Sequence, residues 1–355
     1  MKKVVSGALV IAAVTAALFT AAPVQADGAQ PPATSRWLGK QLVGGLVHND
    51  QYDFDDYGLS IDVGLALDEL GRTAEVRTVR KALAANVASY TTGVDYGASD
   101  VFAGATAKAA VFARAAGADP ADFGGVDLVA QLSRRIATKA PIAGRLQDKG
   151  AEDYANVIGQ SYAVDALTAA RSPKATKATR FLLSQQCRAG YFRLDFTADT
   201  SAGDQTCDGG KRAGDSAPDT DATALAVLAL LENPKPSRAV DEAVERAVSW
   251  LERTQARNGS FGGGRSTARA NANSTGLAAW ALGSAGSCAR ATKAASWLRT
   301  LVVSGVPGEK GAVAYDRAAL AGARDGISVE ERDQFVRSTA QAAPALHHAV
   351  VNECD

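Results

Sequence analysis

The sequence predicts an all-α protein built as a closed (α/α)6 toroid, a ring of six helix pairs. Three observations carry that prediction. A segment with an aromatic-Leu core recurs along the chain, an almost uncharged Ala/Leu stretch follows each copy, and Gly-rich turns join the two. The 355 residues contain 46% hydrophobic residues and 21% charged residues, with 34 Gly and 38 Lys+Arg against 38 Asp+Glu. Such a composition excludes a disordered or collagen-like chain. The neutral balance also argues against a nucleic-acid binder, which needs a basic face.

A leader precedes the first repeat. Met1-Lys2-Lys3 opens an uncharged run over 4–22, which ends in Val24-Gln25-Ala26 before Asp27. A basic start, an apolar stretch and small residues at the cleavage positions are the marks of a secretory signal peptide, here residues 1–26. A membrane anchor is the alternative, since about 18 apolar residues can span a bilayer; Gly7, Thr15 and Thr20 weaken that span. Cleavage leaves 27–355 as one toroid domain with 36 basic and 38 acidic residues, expected to be secreted and extracellular without a stable membrane anchor.

The repeats then follow in order. Ser35-Arg36-Trp37-Leu38-Gly39-Lys40-Gln41, Thr179-Arg180-Phe181-Leu182-Leu183-Ser184-Gln185 and Ser249-Trp250-Leu251-Glu252-Arg253-Thr254-Gln255 share the core, Trp297-Leu298 begins another, and weaker copies centre on Leu83 and Leu132. The centres 37, 83, 132, 181, 250 and 297 are separated by 46, 49, 49, 69 and 47 residues. The one long interval holds an inserted segment around 187–207. The first helix of each unit is amphipathic, with Asp241, Glu242, Glu245 and Arg246 set between apolar positions in one of them. The second helices, expected over 59–70, 101–116, 157–170, 223–231, 274–285 and 312–323, are apolar nearly all round, as fully buried helices must be. Six outer and six inner helices favour a closed ring over an open solenoid, because neither terminal unit has a polar cap.

Residues Arg180-Phe181-Leu182-Leu183-Ser184-Gln185-Gln186 with Gly190-Tyr191-Phe192, and Trp250-Leu251 with Gln255 and Gly259-Ser260-Phe261, resemble the QW repeats of the terpenoid cyclase and protein prenyltransferase superfamily. The resemblance implies the α/α toroid of squalene cyclases, prenyltransferase β-subunits and cobalamin carriers, with the Gln capping helix ends and the aromatic stacking between units. Fold resemblance does not carry activity. Class II cyclases of this superfamily have a DxDDTA motif at an inner-helix start. Asp219-Thr220-Asp221-Ala222-Thr223-Ala224 is similar to it, but Ala222 stands where the resemblance expects the protonating Asp. Asp53-Phe54-Asp55-Asp56 is a literal DxDD. Adjacent carboxylates in a pocket of low dielectric cannot all ionise, so Asp53, Asp55 and Asp56 are candidate catalytic acids. Aligning Leu65-Ala66-Leu67 with Leu228-Ala229-Leu230 sets Asp56, not Asp53, opposite Asp219. The plainer reading is therefore an acidic turn with Asp56 capping a helix.

Cavity or ligand-binding candidates near the inner helices are Tyr57, Tyr96, Asp100, Asp153, Tyr154, Asp219, Asp221, Asn273, Tyr315 and Asp316, many of them also natural helix caps. Trp280 is the one Trp not committed to repeat packing. With His only at 48, 347 and 348 and no CxxC pair, neither a metal site nor any other cofactor is expected. Four cysteines in an exported chain favour disulfides. Of three pairings the favoured one joins Cys187 to Cys207 and Cys288 to Cys354. The expected ligand is an apolar or amphipathic small molecule in the central cavity. An acid enzyme of cyclase-like or glycan-cleaving type at the Asp53 cluster, and an extracellular protein scaffold with no identified partner, remain open beside it.

Overall fold

The computed structural model describes residues 32–210 and 216–351. The leader at 1–26 lies outside the described residues, as does the pairing expected for Cys354. In chain order the elements are α1 (Ala33–Lys40), β1 (Leu42–Val43), β2 (Leu46–Asn49), β3 (Phe54–Asp56), α2 (Tyr57–Glu69), α3 (Thr73–Ala85), α4 (Val87–Thr91), α5 (Ala103–Ala115), α6 (Leu128–Ser133) and α7 (Val157–Ala169). They continue with α8 (Ala175–Ser184), α9 (Cys207–Gly210), α10 (Thr220–Leu231), α11 (Arg238–Thr254), α12 (Ala272–Ser284), α13 (Cys288–Arg299), α14 (Arg317–Gly322) and α15 (Val329–Val351). The three short strands form one antiparallel sheet in which Val47 faces Asp56 and His48 faces Asp55. Among the described residues no helix is long and apolar enough to cross a membrane.

Burial separates the helices into two sets. On α11 the buried residues Val240, Ala243, Ala247, Trp250 and Leu251 form one stripe at helical spacing, so this helix lies on the outside. On α7, Val157, Gly159, Gln160, Ser161 and residues 163–167 are all buried, which leaves almost no face for water. The inner helices touch in cyclic order: α2 packs on α5, α5 on α7, α7 on α10, α10 on α12, α12 on α15, and α15 returns to α2. Helices α1, α3, α6, α8, α11 and α13 pack outside them, and each carries one of the six repeat centres at 37, 83, 132, 181, 250 and 297.

Five inner helices lie where the sequence puts them; the sixth does not. Residues 312–323 were expected to form it. They give only the six-residue α14, and α15 takes the sixth place. The reason is charge. Glu330, Glu331, Arg332, Asp333 and Arg337 mark the first half of α15 as an exposed helix. They are accommodated by pairing at the ring's rim, with Arg332 on Glu309 (2.8 Å) and Arg337 on Asp333 (3.1 Å) and Asp56 (3.3 Å).

One turn recurs between outer and inner helices. Gly259 (φ 97°) and Gly311 (φ 103°) adopt a left-handed conformation in which a Cβ would collide with the backbone carbonyl of Lys293 on α13 and of Ala33 on α1, respectively. Gly45, Gly144 and Gly190 hold the same place in other units. Two residues after each glycine the backbone N–H donates into an inner helix, from Val47 to Ser60, Leu146 to Gln160, Phe192 to Thr223, Phe261 to Thr275 and Val313 to Thr339, at 2.8–2.9 Å. Glutamine amides then reach the next outer helix. Gln186 donates to the Ala243 carbonyl (2.8 Å) and Gln255 to that of Arg290 (2.9 Å). Tyr191 stacks on Trp250 with ring centroids 5.6 Å apart. Cys187 and Cys207 are joined as expected, closing the inserted segment between α8 and α9.

Candidate functional site

The inner helices begin on side-chain caps that align them. The N–H groups of Leu59, Gly159, Ala222 and Ser274 donate to Asp56, Asn156, Asp219 and Asn271 at 2.8–3.0 Å, which satisfies otherwise unpaired N–H groups of the first turn. On α5 the N–H of Ala103 is received instead by Asp148, at 2.6 Å. Five inner helices, α2, α5, α7, α10 and α12, send their sixth residue to the ring axis, and α15 sends its thirteenth, Gln341. Asp62, Lys108, Tyr162, Leu225, Leu277 and Gln341 all line one cavity of about 380 Å³. Its floor is mixed, with Lys108 Nζ held 2.7 Å from Asp62 and 3.0 Å from the Gly58 carbonyl. Tyr90, Phe102, Ala105, Asn156 and Ile158 complete the wall.

Asp221 stands two residues past its cap and lines the same cavity. Burial holds its carboxyl up at about 6, and the neighbouring Asp219 carboxylate adds to the shift. Asp221 Oδ1 and Ser274 Oγ are both buried without a hydrogen-bond partner. Asp219 is also raised by burial, but its Oδ1 is committed to the Ala222 N–H. Ala222, where the resemblance expects an Asp, follows Asp221 directly. That side chain is fully buried in the helical core, so its being Ala removes no acid from the cavity. The carboxyl turned toward the axis is Asp221. Burial likewise pushes the hydroxyls of Tyr90 and Tyr162 well above their ordinary range, so both are neutral donors at the wall.

The Asp53 cluster lies elsewhere. Asp53 has a 98% exposed side chain at the hairpin tip, and with Asp55 it flanks His48, at 3.5 and 2.9 Å. Asp56 caps α2 and pairs with Arg337, as its alignment with Asp219 suggested. None of the three lines the cavity. Tyr57 stacks edge-on with Tyr90 (6.3 Å), Tyr96 is exposed and Asp100 is half-buried in the loop before α5. Asp153 holds Arg145 (3.2 Å), and Tyr154 stands largely exposed at the cavity mouth. Asn273 accepts from Ser338 (2.9 Å), Tyr315 is half-buried, Asp316 caps α14, and Trp280 lines a second cavity at the other end of the ring. Lys108, Tyr90, Tyr162 and Gln341 were not anticipated; aligning the inner helices on their caps is the signal that would have found Tyr162, six residues past Asn156 as Asp62 is past Asp56. Among the described residues no group of three or more His, Cys, Asp or Glu is placed to hold a metal ion.

No protein-family model matches the sequence, and neither does any curated protein. Solved structures do match. The type II terpene cyclase MstE from Scytonema superposes with a TM-score of 0.60 at 16% identity, covering 89% of this chain and 96% of that one. The unsaturated glucuronyl hydrolase from Bacillus sp. GL1 gives 0.57 at 13% identity over 91% and 95%. A protein from Actinoplanes gives 0.60 at 15% identity over 90% and 98%. MstE has also been solved with geranylgeranyl dihydroxybenzoate and with merosterolic acid A, and a glucuronyl hydrolase variant with dGlcA-Glc-Rha-Glc. The likeness is one of fold: the chain has the mostly helical α/α architecture of terpenoid cyclases, which the glucuronyl hydrolase shares.

Proposed function

We propose that the protein binds an apolar or amphipathic small molecule in the cavity at the amino-terminal ends of its inner helices and acts on it as a general acid through Asp221. The observation that carries this reading is the Asp221 carboxyl itself, which lines the cavity and whose buried Oδ1 makes no hydrogen bond. A carboxyl raised to about 6 keeps a usable fraction of its proton near neutral pH. It would deliver that proton to an alkene carbon of the ligand, using the π electrons and leaving a cation at the other carbon, or to a bridging oxygen whose C–O bond then breaks to release an alcohol and a cation. In either case Asp221 becomes a carboxylate. The resulting cation would lose a proton or take up water, and solvent would return the proton to Asp221. Leu225, Leu277, Ile158 and Phe102 offer the apolar contact, while Lys108, Asn156 and Gln341 offer the polar end. Two neighbours of this fold, a type II terpene cyclase and an unsaturated glucuronyl hydrolase, take by name unsaturated substrates, which supports the choice of chemistry. Asp53, Asp55 and Asp56 have structural roles in this reading. Export through the leader at 1–26 would place the activity outside the cell, tested by recovering from culture medium a product that begins at Asp27.

The test is turnover of prenylated aromatic acids and unsaturated oligosaccharides followed by mass spectrometry, with Asp221→Asn beside the wild type. Asp221→Asn should still bind the ligand yet lose about 10²–10⁴-fold in rate. Undiminished turnover by Asp221→Asn, or turnover lost only with Asp55→Ala, would reject the assignment.

A further inference from the structure

The ring has a second concavity, at the carboxyl-terminal ends of the inner helices. It encloses about 340 Å³, within the roughly 300–1,000 Å³ of small-molecule sites, and Tyr162 and Leu225 separate it from the Asp221 cavity. Four inner helices finish on it, with Glu69, Ala115, Leu231 and Ser284 as their last residues or next to them. Helix carboxyl ends carry partial negative charge and favour cations.

The side chains add to that sign. Asp68, Glu69, Asp165 and Glu232 line the bowl against a single guanidinium, Arg114. Arg114 is already engaged, bound to both oxygens of the buried Asp165 at 2.8 and 3.1 Å and to Glu232 at 3.3 Å. Among the described residues Asp68 has no counter-ion: it is half-buried, and burial raises its carboxyl. The remaining wall is apolar, from Leu65, Val111 and Leu228, with the half-buried Trp280 facing the same space. An acidic rim, an aromatic face and an apolar wall suit one class of ligand, since a cation gains from a nearby carboxylate and from the face of an indole together.

We propose that this bowl is a binding site for a small organic ammonium ion carrying a short apolar arm, with the ammonium between Asp68 and Trp280 and the arm along Leu65, Val111 and Leu228. It is separate from the acid site at Asp221, and neither reading depends on the other. The test is isothermal titration calorimetry of the full chain with hexyltrimethylammonium and, as the matched anion, hexyl sulfate. The ammonium should bind saturably at one site below about 1 mM, and the sulfate should not. Asp68→Asn should weaken the ammonium about five- to tenfold and Trp280→Leu about three- to tenfold, while Asp221→Asn leaves it unchanged. Trp280→Leu stands as an independent variant if Asp68→Asn does not fold. Equal binding of hexyl sulfate, absence of saturable binding, indifference to both bowl variants, or loss with Asp221→Asn alone would each overturn the proposal.

Discussion

At Asp221 the consequence of burial can be followed through pH. A carboxyl held at about 6 in the folded chain and near 3.8 when unfolded binds more protons folded than unfolded between those values. Its contribution to stability is therefore fully present below about pH 3.8 and is lost as pH rises through about 6. Above that, the fold carries an ionised carboxylate that water would solvate better. Asp221→Asn removes the charge while keeping the shape, so the variant should be more stable than the wild type at pH 8 by on the order of 2 kcal/mol. The difference should shrink to near zero at pH 4. Thermal unfolding of both proteins at the two pH values checks this, and a pH-independent difference would show that the fold does not raise the Asp221 carboxyl above its unfolded value. Sequence placed Asp221 at the start of an inner helix but could not settle which residue of that turn faces the axis. That needs the helix phase, which the cap by Asp219 sets and which turns Ala222 into the core instead.

Among the elements, what was legible followed from periodicity. A helix buried on nearly all sides must be apolar nearly all round, so α2, α5, α7, α10 and α12 stood out as almost uncharged stretches of similar spacing. Helix α15 did not, because its first turns carry charges that only tertiary pairing with Glu309 and Asp56 explains. The residues 312–323 mimicked an inner helix by composition alone. The Asp53 quartet was legible in two ways: adjacent carboxylates suggest an acid site, the register against Asp219 suggests a capping turn, and the hairpin β2–β3 carries two of the carboxylates around His48. The Gly-rich turns were seen as punctuation, whereas their geometry makes them seats for the next outer helix. At Gly259 both the left-handed φ and the Lys293 carbonyl exclude a side chain. Gly259→Ala should thus destabilise by on the order of 2 kcal/mol. Gly305→Ala, where a Cβ meets nothing, should stay within about 0.5 kcal/mol. Denaturant midpoints of the pair decide the matter; equal midpoints would mean that the turn relaxes around the methyl group.

For the ring as a whole, the question is what couples the first repeat to the last. The seam is built from both ends of the described chain. Trp37 and Leu38 of α1 are buried with Leu59 and Val63 of α2 and with Phe335 and Val336 of α15. Trp37 Nε1 donates to Glu309 (2.8 Å), whose carboxylate also receives Arg332 through two nitrogens at 2.8 Å each. The turn at Gly311 sits directly on the start of α1. In an open stack of repeats, damage to the first unit frays that end and leaves distant units unaffected. In a closed ring each inner helix is held by two neighbours, so opening the seam removes support from both directions. Trp37→Ala deletes a fully buried indole and its hydrogen bond, and should destabilise by about 3–5 kcal/mol. The diagnostic is where the loss is felt. Amide hydrogen exchange in α7 and α10, far round the ring from the substitution, should accelerate by a factor matching the fall in global stability, and unfolding should remain a single transition. If α1 alone exchanges faster while α7 and α10 keep their wild-type protection, the seam closes the ring in shape without coupling it in energy.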